Sequence, residues 1–468
     1  MPLACLWIFW KPSCFRWCRP CGSFRVGGLL QTLPPESMNT PDISAPDEEA
    51  TYRKVTLRLI PFLFLCYILA FLDRVNVGFA KLQMLTDLGF SDAVYGLGAG
   101  IFFLGYFLFE VPSNLLLEKF GARVWIARIM ITWGLISAAM MFVRTPGMFY
   151  FMRFLLGVAE AGFFPGIILY LTYWYPAWRR GRIIALFMTA VPVAGVVGSP
   201  LSGWILGAFH GVHGWAGWQW LFLLEGLPSV IVGVGVLFYL RDGIRDAPWL
   251  SEQEKGMLQA HLDAEPERKR LRVPLTRLLL QPRLLGLSFI YFCVSMGLYG
   301  AVSFWLPQLV KNSGFQNPLH IGLLTAVPYL CSIPAMLLLS RSSDRSGERR
   351  WHFALSAVLG GTGLILSVAY GQEPLGAIAS LSLASAGILA ALPVFWSMTT
   401  SSLAGGAAAG IALINSIGGL AGFMGPYLMG WIKEANHGRL DAGMYLIAGF
   451  LFLGALLAPT LVPRKPRE

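Results

Sequence analysis

Apolar runs of about 20 residues, separated by short polar connections, recur along almost the whole chain, and each is long enough to cross a bilayer as a helix. They fall near 57–80, 92–116, 124–143, 147–171, 184–207, 217–240, 284–306, 319–340, 352–370, 374–396, 407–432 and 441–462. The runs are continuous rather than alternating, which excludes a transmembrane β-barrel. The pattern predicts an all-α membrane protein with twelve transmembrane helices. One long polar interruption, from Arg241 to about Pro282, separates six runs from six. Ser251 and Glu254 have the spacing of a capping box, so the interruption is expected to hold one or two short amphipathic helices. The expected organisation is an extension (1–50, disordered), a six-helix bundle (51–240), a cytoplasmic linker (241–283), a second six-helix bundle (284–463) and a cytoplasmic tail (464–468).

The halves echo each other. Asn114–Arg123 reads NLLLEKFGAR and Ser340–Arg349 reads SRSSDRSGER. Glu118 and Asp344 lie 226 residues apart, as do Lys119 and Arg345, Gly121 and Gly347, Arg123 and Arg349, and Pro200 and Pro426. This predicts two pseudo-symmetric six-helix bundles with a site between them near the midplane. A carboxylate at the end of one helix can accept hydrogen bonds from a neighbouring helix N-terminus or an Arg. Glu118, Lys119, Arg123, Asp344, Arg345 and Arg349 therefore read as a cytoplasmic gate that latches the bundles, or else as tight turns with solvated charges. Span 5 carries Pro192, Gly195, Gly198, Pro200 and Gly203, and span 11 is as rich in glycine, which suits close, moving helix contacts.

Composition agrees with a membrane class: 56% of the 468 residues are hydrophobic and 13% charged. The net charge of +11 reads as membrane orientation rather than nucleic-acid binding. Basic residues gather in alternate connections: Arg53, Lys54 and Arg58; Lys119 and Arg123; Arg179, Arg180 and Arg182; the 241–283 segment; Arg341, Arg345, Arg349 and Arg350. The intervening connections hold only Lys81, Arg144, Lys311, Lys433 and Arg439. The positive-inside rule then places both termini in the cytoplasm. Cys66, Cys293 and Cys331 read as packing residues, and the spacing of Cys5, Cys14, Cys18 and Cys21 is a weak zinc signal. No HExxH, paired-histidine cluster or nucleotide loop occurs, so neither an enzyme nor a metal or cofactor is expected.

Seven ionisable residues sit in or beside the spans of the first half: Asp73, Arg74, Glu110, Arg128, Arg153, Glu160 and Glu225. The second half has almost none. A charge at membrane depth persists only when it is paired, hydrated or useful, so a polar cavity built mainly from one half is expected. Arg153 and Glu160 are seven apart and share a helix face. Asp73 and Arg74 are adjacent and point about 100° apart. Glu110 and Arg128, on consecutive helices, read as a structural bridge, and Glu225 as a structural hydrogen-bonded group. Asn76 is open between a hydroxyl contact and helix packing. The second half offers uncharged groups: Tyr299, Trp305, Trp396, Asn415 and Ser416.

Several stretches carry a family resemblance: LDRVNVGFA (Leu72–Ala80), GIFFLGYFLFEVPSNLLLEKFGAR (Gly100–Arg123), WIARIMITWG (Trp125–Gly134), RFLLGVAEAGFFPG (Arg153–Gly166), YWYPAWRRGR (Tyr173–Arg182) and GWQWLFLLEGLP (Gly217–Pro228). From about Arg53 to Pro463 the chain resembles a major facilitator superfamily transporter of the anion:cation symporter family, nearest its bacterial tartrate-transporter-like branch. It departs from the superfamily loop pattern where Asn114 and Ser340 replace the opening glycine and Glu118 replaces Asp.

The resemblance implies the major facilitator fold and proton-coupled import of a small organic anion: a tartrate-like dicarboxylate, sugar acid or aromatic carboxylate. It implies substrate contacts at Arg74, Arg153, Tyr106 and Asn415, and Trp396 is a further candidate. Asp73 and Glu160 become the proton-coupling carboxyls. Arg153 reads alternatively as a permanent salt bridge packing helix 4 against helix 1, and Glu160 as a carboxylate permanently paired with Arg153 or Arg74. The expected setting is a bacterial inner membrane, as a monomer, with the substrate anion, protons and the lipid bilayer as its partners. A facilitator or anion exchanger of the same fold is the alternative, and a membrane enzyme or sensor a more distant one.

Overall fold

The computed structural model describes residues 47–264, 281–402 and 407–461. The N-terminal cysteines, the basic run Arg268–Arg272 and the C-terminal tail lie outside these residues. Among the described residues the regular structure is helical throughout, without a strand. The first half comprises α1 (Glu48–Leu88), α2 (Asp92–Phe120), α3 (Ala122–Ala139), α4 (Pro146–Glu160), α5 (Phe163–Thr172), α6 (Ala177–Met188), α7 (Ala190–Ala208) and α8 (Gly217–Tyr239). The short α9 (Glu252–Asp263) precedes the second half: α10 (Pro282–Gly297), α11 (Leu306–Asn312), α12 (Pro318–Ser346), α13 (Arg350–Ala369), α14 (Pro374–Ser402), α15 (Ala407–Ala435) and α16 (Asp441–Leu461). Eleven helical stretches among the described residues are long and apolar enough to span a membrane. The 29-residue α15 supplies the twelfth. The fold is two six-helix bundles.

Three spans expected to be continuous are interrupted. Span 4 breaks after Glu160, where Ala161 turns extended and Gly162 takes φ +84°. That left-handed conformation favours glycine. Span 5 is divided at Thr189 between α6 and α7. Span 7 passes through a π-helical turn, Leu298–Ser303, between α10 and α11. Elsewhere local chemistry sets the ends. Asp47 caps α1 through the amides of Glu49 and Ala50, and Gly89 (φ +64°) closes it. Thr145 caps α4, with Pro146 in the first turn.

The expected capping box is present: Ser251 Oγ accepts from the Glu254 amide at 3.2 Å, and Glu254 accepts from the Ser251 amide at 2.7 Å. Glu254 also pairs with Lys54 at 2.9 Å, and His261 stacks on Tyr52, so α9 docks on the start of α1. Desolvation of the Glu254 carboxyl is outweighed by Lys54 and the Ser251 donors, which hold it below its usual range. Cys66 and Cys293 are buried, whereas Cys331 is exposed.

The bundles meet most closely at the end that bears the α1–α2 connection. There α2 crosses α15 and α7 crosses α12. A Cβ on Gly96 would lie 2.5 Å from the Pro426 carbonyl oxygen and 3.1 Å from Gly430 Cα. A Cβ on Gly203 would collide with the Pro318 carbonyl and lie 3.0 Å from Gly322 Cα. Only glycine permits this backbone approach. Gly96 and Gly322, one from each crossing, are 226 residues apart, the offset of the sequence repeat. Gly203 of span 5 and Gly430 of span 11 thus belong to the seal at this end.

Candidate functional site

Between the bundles lies a cavity of about 100 Å³, room for several waters. Its walls are largely aromatic, with Tyr67, Phe103 and Tyr106 from the first bundle facing Tyr291, Tyr299 and Trp396 from the second. Arg74 and Glu110 are the charged residues among those lining it. Tyr299 enters from the π-helical turn of span 7, the kind of local unwinding that often marks functional sites.

Arg74 projects from α1 and is 8% exposed. Its guanidinium pairs with the Glu160 carboxylate, and the Phe102 and Tyr106 rings lie 5.5 Å from its Cζ. Glu160 is 1% exposed and sits behind Arg74 rather than in the cavity wall. It is the last residue of α4, at the break in span 4. The guanidinium therefore presents one side to the cavity and the other to a buried carboxylate.

Arg153 is placed elsewhere. It is fully buried, donates to the carbonyls of Gly98 and Ala99 at 3.2 and 3.3 Å, and lies 5.0 Å from the Phe102 ring centroid. It does not line the cavity and does not pair with Glu160, so neither the substrate contact nor the α4–α1 bridge is seen. Instead it ties α4 to α2. Gly98 and Ala99 lie just beyond the crowded Gly96 crossing, which spacing along α4 could not reveal.

Asp73 also faces away from the cavity. It accepts from Trp133 Nε1 at 3.0 Å, Ser137 Oγ at 2.7 Å and Ser229 Oγ at 2.5 Å, which joins α1 to α3 and α8. Glu225 accepts from Ser202 at 2.6 Å, the hydrogen-bonded role expected of it. Asn76 is 1% exposed.

The expected Glu110–Arg128 bridge is not formed. Arg128 lies over the Trp125 ring, 4.0 Å from its centroid. Glu110 turns into the cavity and accepts from Asn415 Nδ2 across the bundle interface at 3.1 Å. Its signal was in the sequence: Glu110 is four residues after Tyr106 and shares its helix face. Tyr106, Asn415 and Trp396 line the cavity as expected, with Trp396 edge-on to Tyr291.

The loop residues do not join the bundles. Glu118, Lys119, Asp344 and Arg345 are exposed. Arg123 pairs with Asp242, which also accepts from the Arg123 amide at 2.9 Å. Arg349 donates to the Ser397 carbonyl at 2.9 Å. The contact between a carboxylate and a helix N-terminus exists, but Asp242 supplies it rather than Glu118, and it stays within the first half. A cross-bundle charge cluster lies instead at the sealed end. Asp92 holds Lys81 at 2.8 Å and Lys433 at 2.9 Å, and Lys81 Nζ sits 3.2 Å from the Trp305 ring centroid. Tyr95 donates to the Phe304 carbonyl at 2.8 Å, and the Ala93 amide donates to Glu434 at 3.0 Å.

Comparison with known proteins gives one answer. Residues 63–426 match the family described as the Major Facilitator Superfamily. A protein of Agrobacterium vitis named "Putative tartrate transporter" is 49% identical over 423 residues, covering 90% of this chain and 96% of that one. "Inner membrane transport protein RhmT" of Escherichia coli (strain K12) is 40% identical over 415 residues, covering 88% and 95%. Among solved structures, the xylose transporter XylE from E. coli, in a partially occluded inward open conformation, aligns with a TM-score of 0.68 at 14% identity over 89% of this chain and 99% of its own. That likeness concerns the fold alone.

Proposed function

The chain belongs to the Major Facilitator Superfamily and is a multi-pass membrane transporter, not an enzyme; from that premise we propose that it imports a small organic anion by proton symport with alternating access. The observation that carries this reading is the Arg74–Glu160 pair, with the guanidinium at the wall of a cavity between two bundles. A guanidinium stays charged at physiological pH and matches a carboxylate bidentately. An incoming organic anion competes with Glu160 for it. Glu160, left without a partner in a low-dielectric site, takes up a proton. Anion and proton then travel together, and the pair re-forms after release.

Coupling answers an energetic need. Each net negative charge carried into an inside-negative compartment costs about 2.3 kcal/mol per 100 mV, so protons in excess of the anion's charge make entry favourable. Asp73 is the second carboxyl in this scheme. Its protonation requires one of the Ser137 or Ser229 hydroxyls to turn and accept. The sealed end is external in the positive-inside orientation, with both termini cytoplasmic in a bacterial inner membrane. Residues 51–240 and 284–463 are then the two moving bodies of a monomer, joined by 241–283. The Glu118–Arg123 and Asp344–Arg349 segments form their cytoplasmic gate when that end closes. Arg153 acts on the substrate indirectly, by fixing α4 against α2.

Uptake of labelled organic acids into proteoliposomes, with and without an imposed pH gradient, tests the proposal. Gradient-driven accumulation should be lost in Glu160→Gln while counterflow exchange persists. Unchanged accumulation in that variant refutes the coupling role, and gradient-independent uptake by the wild type assigns a facilitator instead.

A further inference from the structure

Glu110 is the second charge in the cavity, and the transport scheme above leaves it unused. A bare carboxylate at the wall of an anion site is a liability, because it repels the second anionic end of any long substrate. It becomes an asset if the substrate carries a hydrogen-bond donor there. The geometry is specific on this point. Arg74 lies 5.5 Å from the Tyr106 ring, and Glu110 follows Tyr106 by one helical turn on α2. The two opposite charges therefore line one cavity together with Tyr106. Across the interface, Asn415 donates to Glu110 and spends one of its two N–H groups. The carboxylate keeps acceptor capacity for a second donor.

We propose that Glu110, held by Asn415, is the specificity-determining residue that selects acids bearing a hydroxyl or N–H donor away from the carboxylate that engages Arg74. A plain dicarboxylate or plain aromatic acid leaves this acceptor without a substrate partner, whereas a hydroxylated acid satisfies it. The inference rests on Arg74 being the anion site.

The test is isothermal titration of purified protein with matched pairs that differ only in donors: tartrate against succinate, and 4-hydroxybenzoate against benzoate. Wild type should bind the hydroxylated member of a pair at least about tenfold more tightly, the scale of a hydrogen bond to a charged group. Glu110→Leu should erase the ratio. Glu110→Gln, which keeps shape and a neutral acceptor, should retain part of it, and it serves as the measurement should the Leu variant fail to fold. Arg74→Ala should abolish binding of both members together. A wild-type ratio near one, or a ratio unchanged in Glu110→Leu and Glu110→Gln, overturns this assignment while leaving the anion site standing. Failure of wild type to bind either member of both pairs overturns the organic-anion reading itself, and this inference with it.

Discussion

Asp92→Asn should open the sealed end. Asp92 is the only acidic side chain paired with Lys81 and Lys433 among the described residues, through its two carboxylate oxygens at 2.8 and 2.9 Å. The Lys81 side chain is 1% exposed and Asp92 20%. Asn keeps the size of the side chain but removes the charge, leaving the Lys81 ammonium buried beside Trp305. Removing one partner of a buried pair costs roughly 3–5 kcal/mol. The partial exposure of Asp92 and the remaining cation–π contact, worth about 0.5–2 kcal/mol, reduce this to about 2 kcal/mol. Lys81 on α1 and Asp92 on α2 belong to the first bundle, whereas Trp305 and, on α15, Lys433 belong to the second, so the Lys81 ammonium is buried, and its partner matters most, only while the bundles touch here. Loss of that partner should move the sealed–open equilibrium by up to about 30-fold.

The assay is double electron–electron resonance between spin labels at the exposed positions Thr86 and Asn436, in a background without native cysteines. Asp92→Asn should raise the long-distance population severalfold. Adding Lys81→Met, which removes the stranded charge and keeps an apolar stem under Trp305, should largely reverse it. An unchanged distance distribution in Asp92→Asn, or strict additivity of the two substitutions, refutes the latch; additivity means the two side chains are not coupled.

Two further outcomes follow from the geometry. Arg74→Ala should abolish acid binding measured by isothermal titration, and Arg74→Lys should weaken it about 10–100-fold because a point charge replaces a planar fork; retained affinity would move the anion site elsewhere. Gly96→Val should block transport in proteoliposomes while leaving a monodisperse, folded protein, because its Cβ meets the Pro426 carbonyl only when the seal closes; normal uptake would show that this crossing need not form.

The spans were legible because twenty apolar residues have few other fates, and the repeat because duplication leaves a fixed offset. The breaks were harder to see. Span 4 turns at Ala161 and Gly162 inside an unbroken apolar run, where hydropathy carries no information about φ. Arg74, Tyr106 and Asn415 were singled out by the family resemblance; the residues alone say only that a polar group in an apolar helix needs a partner, and those three, with Trp396, line the cavity. Arg153 lies elsewhere: its partners are backbone carbonyls of α2, which no side-chain pattern records. Glu110 and Arg128 were matched by proximity along the chain, yet Glu110's partner, Asn415, lies 305 residues away. Lys81 read only as one of the sparse basic residues of the alternate connections, and Asp92 carried no signal of its own. Only the crossing of α2 with α15 shows that Lys81 is buried and Asp92 partly buried between the bundles.

The Arg74–Glu160 pair also dictates how substrate and proton must depend on each other. An anion arriving alone takes Arg74 and strands Glu160 as a buried charge. A proton arriving alone neutralises Glu160 and strands Arg74. Each costs several kcal/mol. Arriving together, they leave Arg74 paired with the substrate and Glu160 neutral. Binding is therefore cooperative, and linkage makes the coupling reciprocal: the factor by which a proton raises substrate affinity equals the factor by which substrate raises proton affinity. Substrate Kd should then fall by up to about tenfold per unit decrease in pH, across the window in which one proton is taken up with the substrate. It should level off once Glu160 is protonated without help. Titration calorimetry in buffers of different ionisation enthalpy should count that proton directly. In Glu160→Gln the proton uptake assigned to this pair should be lost, leaving only what Asp73 contributes. A wild-type Kd that stays flat with pH, for an acid whose own ionisation is complete throughout, would mean that anion and proton are not coupled through this pair.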